Sequence, residues 1–256
     1  MLKEERHQAI MDRLGLEGKV VVTDLMTRFN VSEDTIRRDL DELASLGRLQ
    51  RVHGGALPRA PLTPFEQRVE ASTTKRALAV AAAQFIHDGQ VILMDSGSSV
   101  LAVASSLPMS LRATIVTNSL PVAAALVHHP QVEVLVLGGR LRKDAQAMVG
   151  VPVIEALQQL RADLCVLGVC SLHPEIGISM LDREEAHVKR TMIQRAAEVV
   201  TLADATKLGA AAPFVVGPID ALTYLVTDSS IEPGKLAPYQ SQGVTVIRAD
   251  SERPST

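Results

Sequence analysis

Tryptophan is absent from this sequence, and the whole chain of 256 residues holds only four phenylalanines and two tyrosines. Its core must therefore be aliphatic. Hydrophobic residues make up 46%, and runs rich in Ala, Val, Leu and Ile suit strands covered on both faces, as in a parallel α/β sheet. No apolar run approaches the ~18 residues of a membrane-spanning helix. The first residues, MLKEERHQAIMDRLG, are amphipathic and carry acids, unlike a signal or transit peptide. The expectation is a cytoplasmic protein without membrane contact. Cysteine is nearly missing: Cys165 and Cys170 share the stretch LCVLGVC, without the paired spacing of a zinc site, and read as buried thiols. No metal is called for. Neither G-x-x-x-x-G-K-[ST] nor G-x-G-x-x-G occurs, which excludes a P-loop and argues against a dinucleotide; no cofactor is expected. Basic excess is lacking too. Net charge is −3, and residues 1–60 hold ten basic and ten acidic side chains. Only locally does charge favour nucleic acid: Leu43 to Ala60 carry Arg48, Arg51, His53 and Arg59 and no acid.

Periodicity supplies the organisation. His7, Ile10, Met11 and Leu14 share one face of a helix over 3–14. GKVVV reads as a short strand. Thr23 offers a cap to a second helix marked by Leu25 and Phe29, and Ser32 caps a third that stops at Gly47. RLQRVHGGAL reads as a hairpin turning on Gly54 and Gly55. Pro58, Pro61 and Pro64 mark a linker. After a helix from Thr73 to about His87, strands expected at 91–94, 114–116, 132–137, 163–169, 198–202, 221–226 and 244–247 alternate with helices at 100–106, 121–128, 152–160, 183–196 and 233–240. Such alternation argues a mostly parallel sheet with covering helices. The expected division is 1–58, a linker at 59–73, and 74–256.

Three strand ends carry polar loops. VILMDSGSSV delivers Asp95, Ser96, Gly97, Ser98 and Ser99 to a helix start, where unpaired N–H groups and the helix dipole favour an anion. IVTNSLPV does the same with Thr117, Asn118 and Ser119, and VLVLGGRL ends in Gly138, Gly139 and Arg140. Ligands of open α/β sheets sit outside the carboxyl ends of the strands, so these loops are expected to share one pocket. Each is equally the pattern of a plain helix cap. Lys207, in TLADATKLG, reads either as a phosphate ligand or as an exposed loop lysine. Lys189 is expected on the surface, paired with Glu185 at i, i+4, and His128 and His129 as surface residues at a helix end.

The first three helices and the hairpin form a winged helix-turn-helix. Ile36, Leu40 and Leu43 fall on one arc of the third helix, with Arg38 opposite and Thr35 and Arg37 beside it. Ser32 and Glu33 lie at the tip that would enter a major groove, and Arg48, Arg51 and His53 on the wing would suit phosphate or minor-groove contact. The plain alternative is a solvated face in which Asp34, Asp39, Asp41 and Glu42 pair with Arg37 and Arg38.

The segment VSEDTIRRDLDELASLGRLQRVHGGAL closely resembles the amino-terminal winged helix of the DeoR family of bacterial transcription regulators. The recognition-helix pattern is matched by Val31, Ser32, Thr35, Ile36, Arg37, Arg38, Asp39 and Leu40, and the wing by Arg51 to Ala56. Further matches are Asp95, Gly97 and Ser98; Val116 to Ser119; Gly138 to Arg142; Val149 and Gly150; Glu185 to Lys189; and Ala203 to Gly209. The resemblance implies a sugar-phosphate-sensing domain similar in fold to ribose-5-phosphate isomerase and the CoA transferases. It also implies a double-stranded DNA operator, a small phosphorylated metabolite as effector, and a homo-oligomer. The implied function is a sequence-specific regulator, most simply a repressor released by its effector. One departure stands out: where the family often has GADGI, this chain reads GVCSLHPEIG, a segment expected at the pocket rim. An isomerase-like enzyme is the alternative the fold raises. Asp95, Glu185, Asp204 and Lys207 would be its acid–base candidates, although a covalently attached winged helix serves no metabolic enzyme. A winged helix that binds protein rather than DNA is a third reading.

Overall fold

The computed structural model describes residues 1–59 and 73–250; Pro61 and Pro64 of the expected linker lie outside them. Helix α1 (Lys3–Glu17) buries Ile10 and Leu14 against Leu25 of α2 (Val22–Phe29) and Ile36, Leu40 and Leu43 of α3 (Glu33–Ser45). The start of α2 departs from expectation. Thr23 lies inside the helix, which begins directly after strand β1 (Val20–Val21). The Val22 N–H, the first of the four that a helix start leaves without an internal partner, donates to the Gly54 carbonyl of the wing at 2.8 Å. Asn30, at φ 50°, turns the chain between α2 and α3. The Ser32 hydroxyl caps α3, accepting from the Thr35 N–H at 3.3 Å. Gly47, at φ +71°, follows the helix end.

Strands β2 (Leu49–Val52) and β3 (Gly55–Pro58) form the wing, and β3 pairs on its other side with β1. The two wing glycines serve different ends. Gly54 turns the chain at φ +75°, whereas a Cβ on Gly55 would lie 2.1 Å from the Val20 carbonyl oxygen.

Beyond α4 (Thr73–Ala83) the chain alternates as expected. Strand β4 (Val91–Met94), helix α5 (Ser98–Ala104), strand β5 (Ala113–Thr117), helix α6 (Leu120–Leu126) and strand β6 (Val132–Val136) come first. A hairpin of β7 (Arg140–Arg142) and β8 (Ala147–Val149) leads to α7 (Val151–Gln158) and β9 (Ala162–Leu167). Then come β10 (Ser171–His173), β11 (Gly177–Met180), α8 (Arg183–Arg195) and β12 (Ala196–Leu202). Strands β13 (Phe214–Gly217) and β14 (Tyr224–Asp228), α9 (Pro233–Gln240) and β15 (Thr245–Ala249) close the described chain. The hairpin and the small antiparallel sheet β10-β11-β13 add to the elements expected from the sequence; their strands are three or four residues long and lie in segments punctuated by Gly, Pro and polar residues.

The main sheet has the order β15-β14-β12-β9-β4-β5-β6, with every neighbouring pair parallel. Side chains alternate between its faces. Ile92, Met94, Leu164 and Val166 belong to one core, and Leu93, Cys165 and Leu167 to the other. Each large aliphatic side chain buried this way contributes ~1.5–3 kcal/mol, which offsets the scarcity of aromatics. From β4 the chain steps outward through β5 to β6. It then returns to β9, on the other side of β4, and steps outward through β12, β14 and β15. The strand order thus reverses between β4 and β9, where the connections diverge and leave a crevice at the carboxyl ends. No helix among the described residues is long and apolar enough to cross a membrane.

Candidate functional site

A cavity of about 210 Å³ occupies that reversal. Strand β4 delivers Ser96–Ser99 to its wall, β9 delivers Gly168–Cys170, and the segment after β12 delivers Asp204, Thr206 and Lys207. Helix α4 adds Lys75, and α8 adds Glu185 and Lys189. Two glycines make the walls possible. Gly97 stands at φ +123°, a conformation side chains rarely allow, and a Cβ on Gly168 would come 2.1 Å from the Ser96 carbonyl oxygen. The loops after β4 and β9 therefore touch backbone to backbone beneath the cavity.

Asp95 is not itself on the wall. Its carboxylate is buried, accepts from the Gly168 N–H at 2.9 Å and pairs with the Lys189 ammonium. Burial opposes the charge on Lys189, but the carboxylates of Asp95 and Glu185 outweigh it and hold the ammonium above its ordinary value. Lys189 is thus a fixed cation behind the serine loop, not the surface partner of Glu185 that spacing predicts. A signal for this lies in α8 itself: Lys189 falls on the arc of Ala186 and Met192, both buried, so a lysine there must find a counter-charge. Glu185 is steadied from the other side by Arg142 at 3.3 Å. Asp204 closes its own turn, accepting the Thr206 N–H at 2.9 Å, and the Lys207 ammonium donates to the Leu202 carbonyl at 3.4 Å. Burial, reinforced by Asp95, pushes the Cys165 thiol far above its ordinary value and leaves it inert in the core. The half-buried Cys170 lies on the wall.

Of the three strand ends expected to share a pocket, one lies on this cavity. Ser96, Gly97, Ser98, Ser99 and Lys207 line it; Thr117, Asn118, Ser119, Gly138, Gly139 and Arg140 do not. Those six lie at or after the ends of β5 and β6, one and two strands away from the reversal. Asn118 ties its loop to the β7–β8 hairpin, which Arg140 itself begins. The Asn118 side-chain amide donates to the Met148 carbonyl at 3.0 Å, and the Met148 N–H donates back to the Asn118 carbonyl at 2.7 Å. Thr117 accepts from the Ser119 N–H at 3.0 Å, and Ser119 caps α6 through the Val122 N–H at 3.4 Å. Gly139 lies where a Cβ would meet the Val149 carbonyl oxygen at 2.8 Å. Arg140 is exposed and paired with Glu184.

On the winged helix, Ser32, Glu33, Arg37 and Arg38 are exposed at the start of α3, and Thr35 is half-buried, its hydroxyl 2.9 Å from that of Ser32. Arg37 pairs with Glu33 at 2.5 Å and Arg38 with Asp34 at 2.7 Å, as on a solvated helix face. Such exposed pairs are worth less than ~1 kcal/mol and exchange readily for phosphate. Three of the acids expected beside these arginines are engaged elsewhere. Asp39 is buried, chelating Arg6 (2.8 Å from Nη2) and His7 (3.1 Å) of α1; Glu42 pairs with Lys3 at 2.5 Å. Asp41 takes Arg51 at 2.8 Å, and Arg51 donates also to the Gly55 carbonyl at 2.9 Å. Arg51 therefore braces the wing from within, while Arg48 and His53 are exposed.

Residues 6–59 match the family model of the DeoR-like helix-turn-helix domain, and residues 70–229 match that of the DeoR C-terminal sensor domain. The chain belongs to the DeoR family. Across 236 residues this DeoR-family regulator is 33% identical to the HTH-type transcriptional repressor GlcR of Bacillus subtilis (strain 168), covering 89% of each chain. It is 32% identical over 232 residues to the glycerol-3-phosphate regulon repressor of Escherichia coli (strain K12), covering 90% of this chain and 92% of the other. Among solved structures, ribose 5-phosphate isomerase A from Methanocaldococcus jannaschii matches at a TM-score of 0.38 with 15% identity over 52% of each chain. This DeoR-family protein is a DNA-binding transcription regulator and not an enzyme. In its unusual GVCSLHPEIG segment, Gly168, Val169 and Cys170 line the cavity, and the rest runs away from it as the β10 hairpin.

Proposed function

We propose that this regulator is a repressor whose grip on a two-fold operator loosens when a phosphorylated sugar or polyol fills the cavity between β4 and β9. One observation carries the reading: cationic Lys75 and Lys207 and the Ser96–Ser99 loop converge on one cavity in a chain that carries a winged helix. Phosphate suits Gly97, Ser98, Ser99 and Lys207; ligand hydroxyls suit Glu185. Similarity to the glycerol-3-phosphate regulon repressor of Escherichia coli supports the same ligand chemistry. On the reading head, Arg37 and Arg38 are assigned to the major groove, with Ser32, Glu33 and Thr35 at its tip and Arg48 and His53 on flanking backbone. The division is 1–58, linker 59–73 and sensor 74–256. A two-fold operator calls for at least a dimer.

The test pairs a thermal-shift screen of sugar and polyol phosphates with gel shifts on DNA from upstream of the regulator's own gene. A stabilising phosphate that also releases DNA is expected; binding to a folded site raises the midpoint by mass action. With Lys207→Ala, DNA binding should persist and the ligand response should vanish. Loss of both together, or no stabilising phosphate at all, would overturn the assignment.

A further inference from the structure

The segment between β12 and β13 carries Lys207 on the cavity wall and, four residues on, meets the winged helix. The Ala211 N–H donates to the carbonyl of Pro58, the last residue of β3, at 3.1 Å, and Arg59 and Ala211 form a parallel bridge. Between these ends the segment is bonded to the β10 hairpin. The Leu172 N–H donates to the Lys207 carbonyl at 2.9 Å, and the Gly209 N–H to the Leu172 carbonyl at 2.8 Å. Tyr239 of α9 clamps both: its hydroxyl donates to the Leu172 carbonyl at 2.8 Å and accepts from the Gly209 N–H at 3.0 Å. Burial pushes that hydroxyl up to about 12, so it keeps its proton. On the far side, the guanidinium of Arg59 lies over Gly47 at the end of α3, where a Cβ would find Nη1 at 3.3 Å. Among the described residues the buried Arg59 Nε has no hydrogen-bond partner. An unsatisfied buried donor costs free energy, so the joint is held below its best possible stability.

We infer that the strap Asp204–Ala212 transmits occupancy of the cavity to the DNA-reading helix. A ligand that draws Lys207 and Thr206 inward pulls on a strap too short and too fully bonded to absorb the movement. The displacement passes to the Ala211–Pro58 bond and, through Arg59, to the carboxyl end of α3. The reading needs two arrangements of the joint with different ligand affinity, and the unsatisfied Arg59 supplies a reason for a second one. It rests on the ligand site proposed above.

The experiment is hydrogen exchange on the full chain, with and without inorganic phosphate at constant ionic strength, beside thermal shifts under the same conditions. Wild type and Tyr239→Phe are compared; the variant keeps the buried ring and removes only the clamp. Both proteins should show a raised melting midpoint. In wild type, exchange at residues 55–59 and at Ala211 should change by about 5-fold or more, the lower end of ordinary coupling between sites; in Tyr239→Phe the response should fall well below that. A raised midpoint with unchanged exchange at those positions in wild type overturns the strap and leaves the ligand site standing. An equal exchange response in the variant likewise overturns it. An unmoved midpoint removes the ligand site, and the strap's role with it.

Discussion

The ammonium of Lys189 on α8 meets the carboxylate of Asp95 at the end of β4, 94 positions earlier in the chain, and both side chains are 1% exposed. This pair closes the floor of the cavity by tying the helix before β12 to the loop after β4. Lys189→Met should leave Asp95 buried beside the Gly168 amide without its counter-charge, a loss of ~3–5 kcal/mol. Adding Asp95→Asn should restore part of it, because the stranded charge is then gone. Chemical denaturation of the single and double variants decides this; a single variant within about 0.5 kcal/mol of wild type would show that the pair is dispensable.

Acid should loosen the winged helix through Asp39. Burial opposes its ionisation, but Arg6 and His7 outweigh that and hold the carboxyl below its ordinary 3.8. A depressed folded value means the stabilisation is fully present above pH 3.8 and disappears as pH falls through the lower folded value. Exchange of amides in residues 1–45, followed from pH 6 downward, should show protection lost in that acid range. Asp39→Asn should lower protection at pH 6 and flatten the acid dependence; a profile as steep as wild type would assign the transition to another group.

The two wing and helix arginines should separate cleanly. Arg38, with a side chain 79% exposed, holds only a surface pair with Asp34, so Arg38→Ala should leave stability within about 0.5 kcal/mol. DNA affinity should nevertheless fall by about tenfold or more, the size of one good base or phosphate contact. Arg51→Ala removes bonds to Asp41 and to the Gly55 carbonyl and should cost ~1–3 kcal/mol of stability. Thermal melts beside anisotropy titrations at fixed salt distinguish the two; the reverse assignment would require the roles to be exchanged.

Gly168→Ala probes the contact beneath the cavity. The added methyl would start 2.1 Å from the Ser96 carbonyl oxygen, so the loops after β4 and β9 must part. We expect a loss of ~1–3 kcal/mol and weakened phosphate-induced stabilisation, with DNA binding retained. Unchanged melting and ligand response would mean that the loops separate freely.

Much of the fold was legible because the main strands are apolar runs bounded by turn residues and the longer helices carry their own period. The strand expected at 91–94 is Val91–Met94, and the helix expected at 183–196 is Arg183–Arg195. Ser32 was recognisable as a cap and Gly47 as a stop, since both act on bonds within a few residues. Thr23 is not the cap because the helix begins one residue before it, where the Val22 N–H is taken by the Gly54 carbonyl, 32 positions further along the sequence. Lys189 was misplaced for a related reason: i, i+4 spacing shows Glu185 but is blind to Asp95.

By itself, then, the sequence determined the order of helices and strands, the aliphatic core and the winged helix, all through interactions between near neighbours. Only the tertiary structure decided which polar loops line the cavity. Three strand ends looked alike, yet the return from β6 to β9 put the reversal beside β4. Ser96–Ser99 was thereby left at the crevice, while Thr117–Ser119 lies one strand away, tied to a hairpin that Arg140 begins. Strand order depends on crossover connections and on the packing of both sheet faces at once, and no local period encodes it.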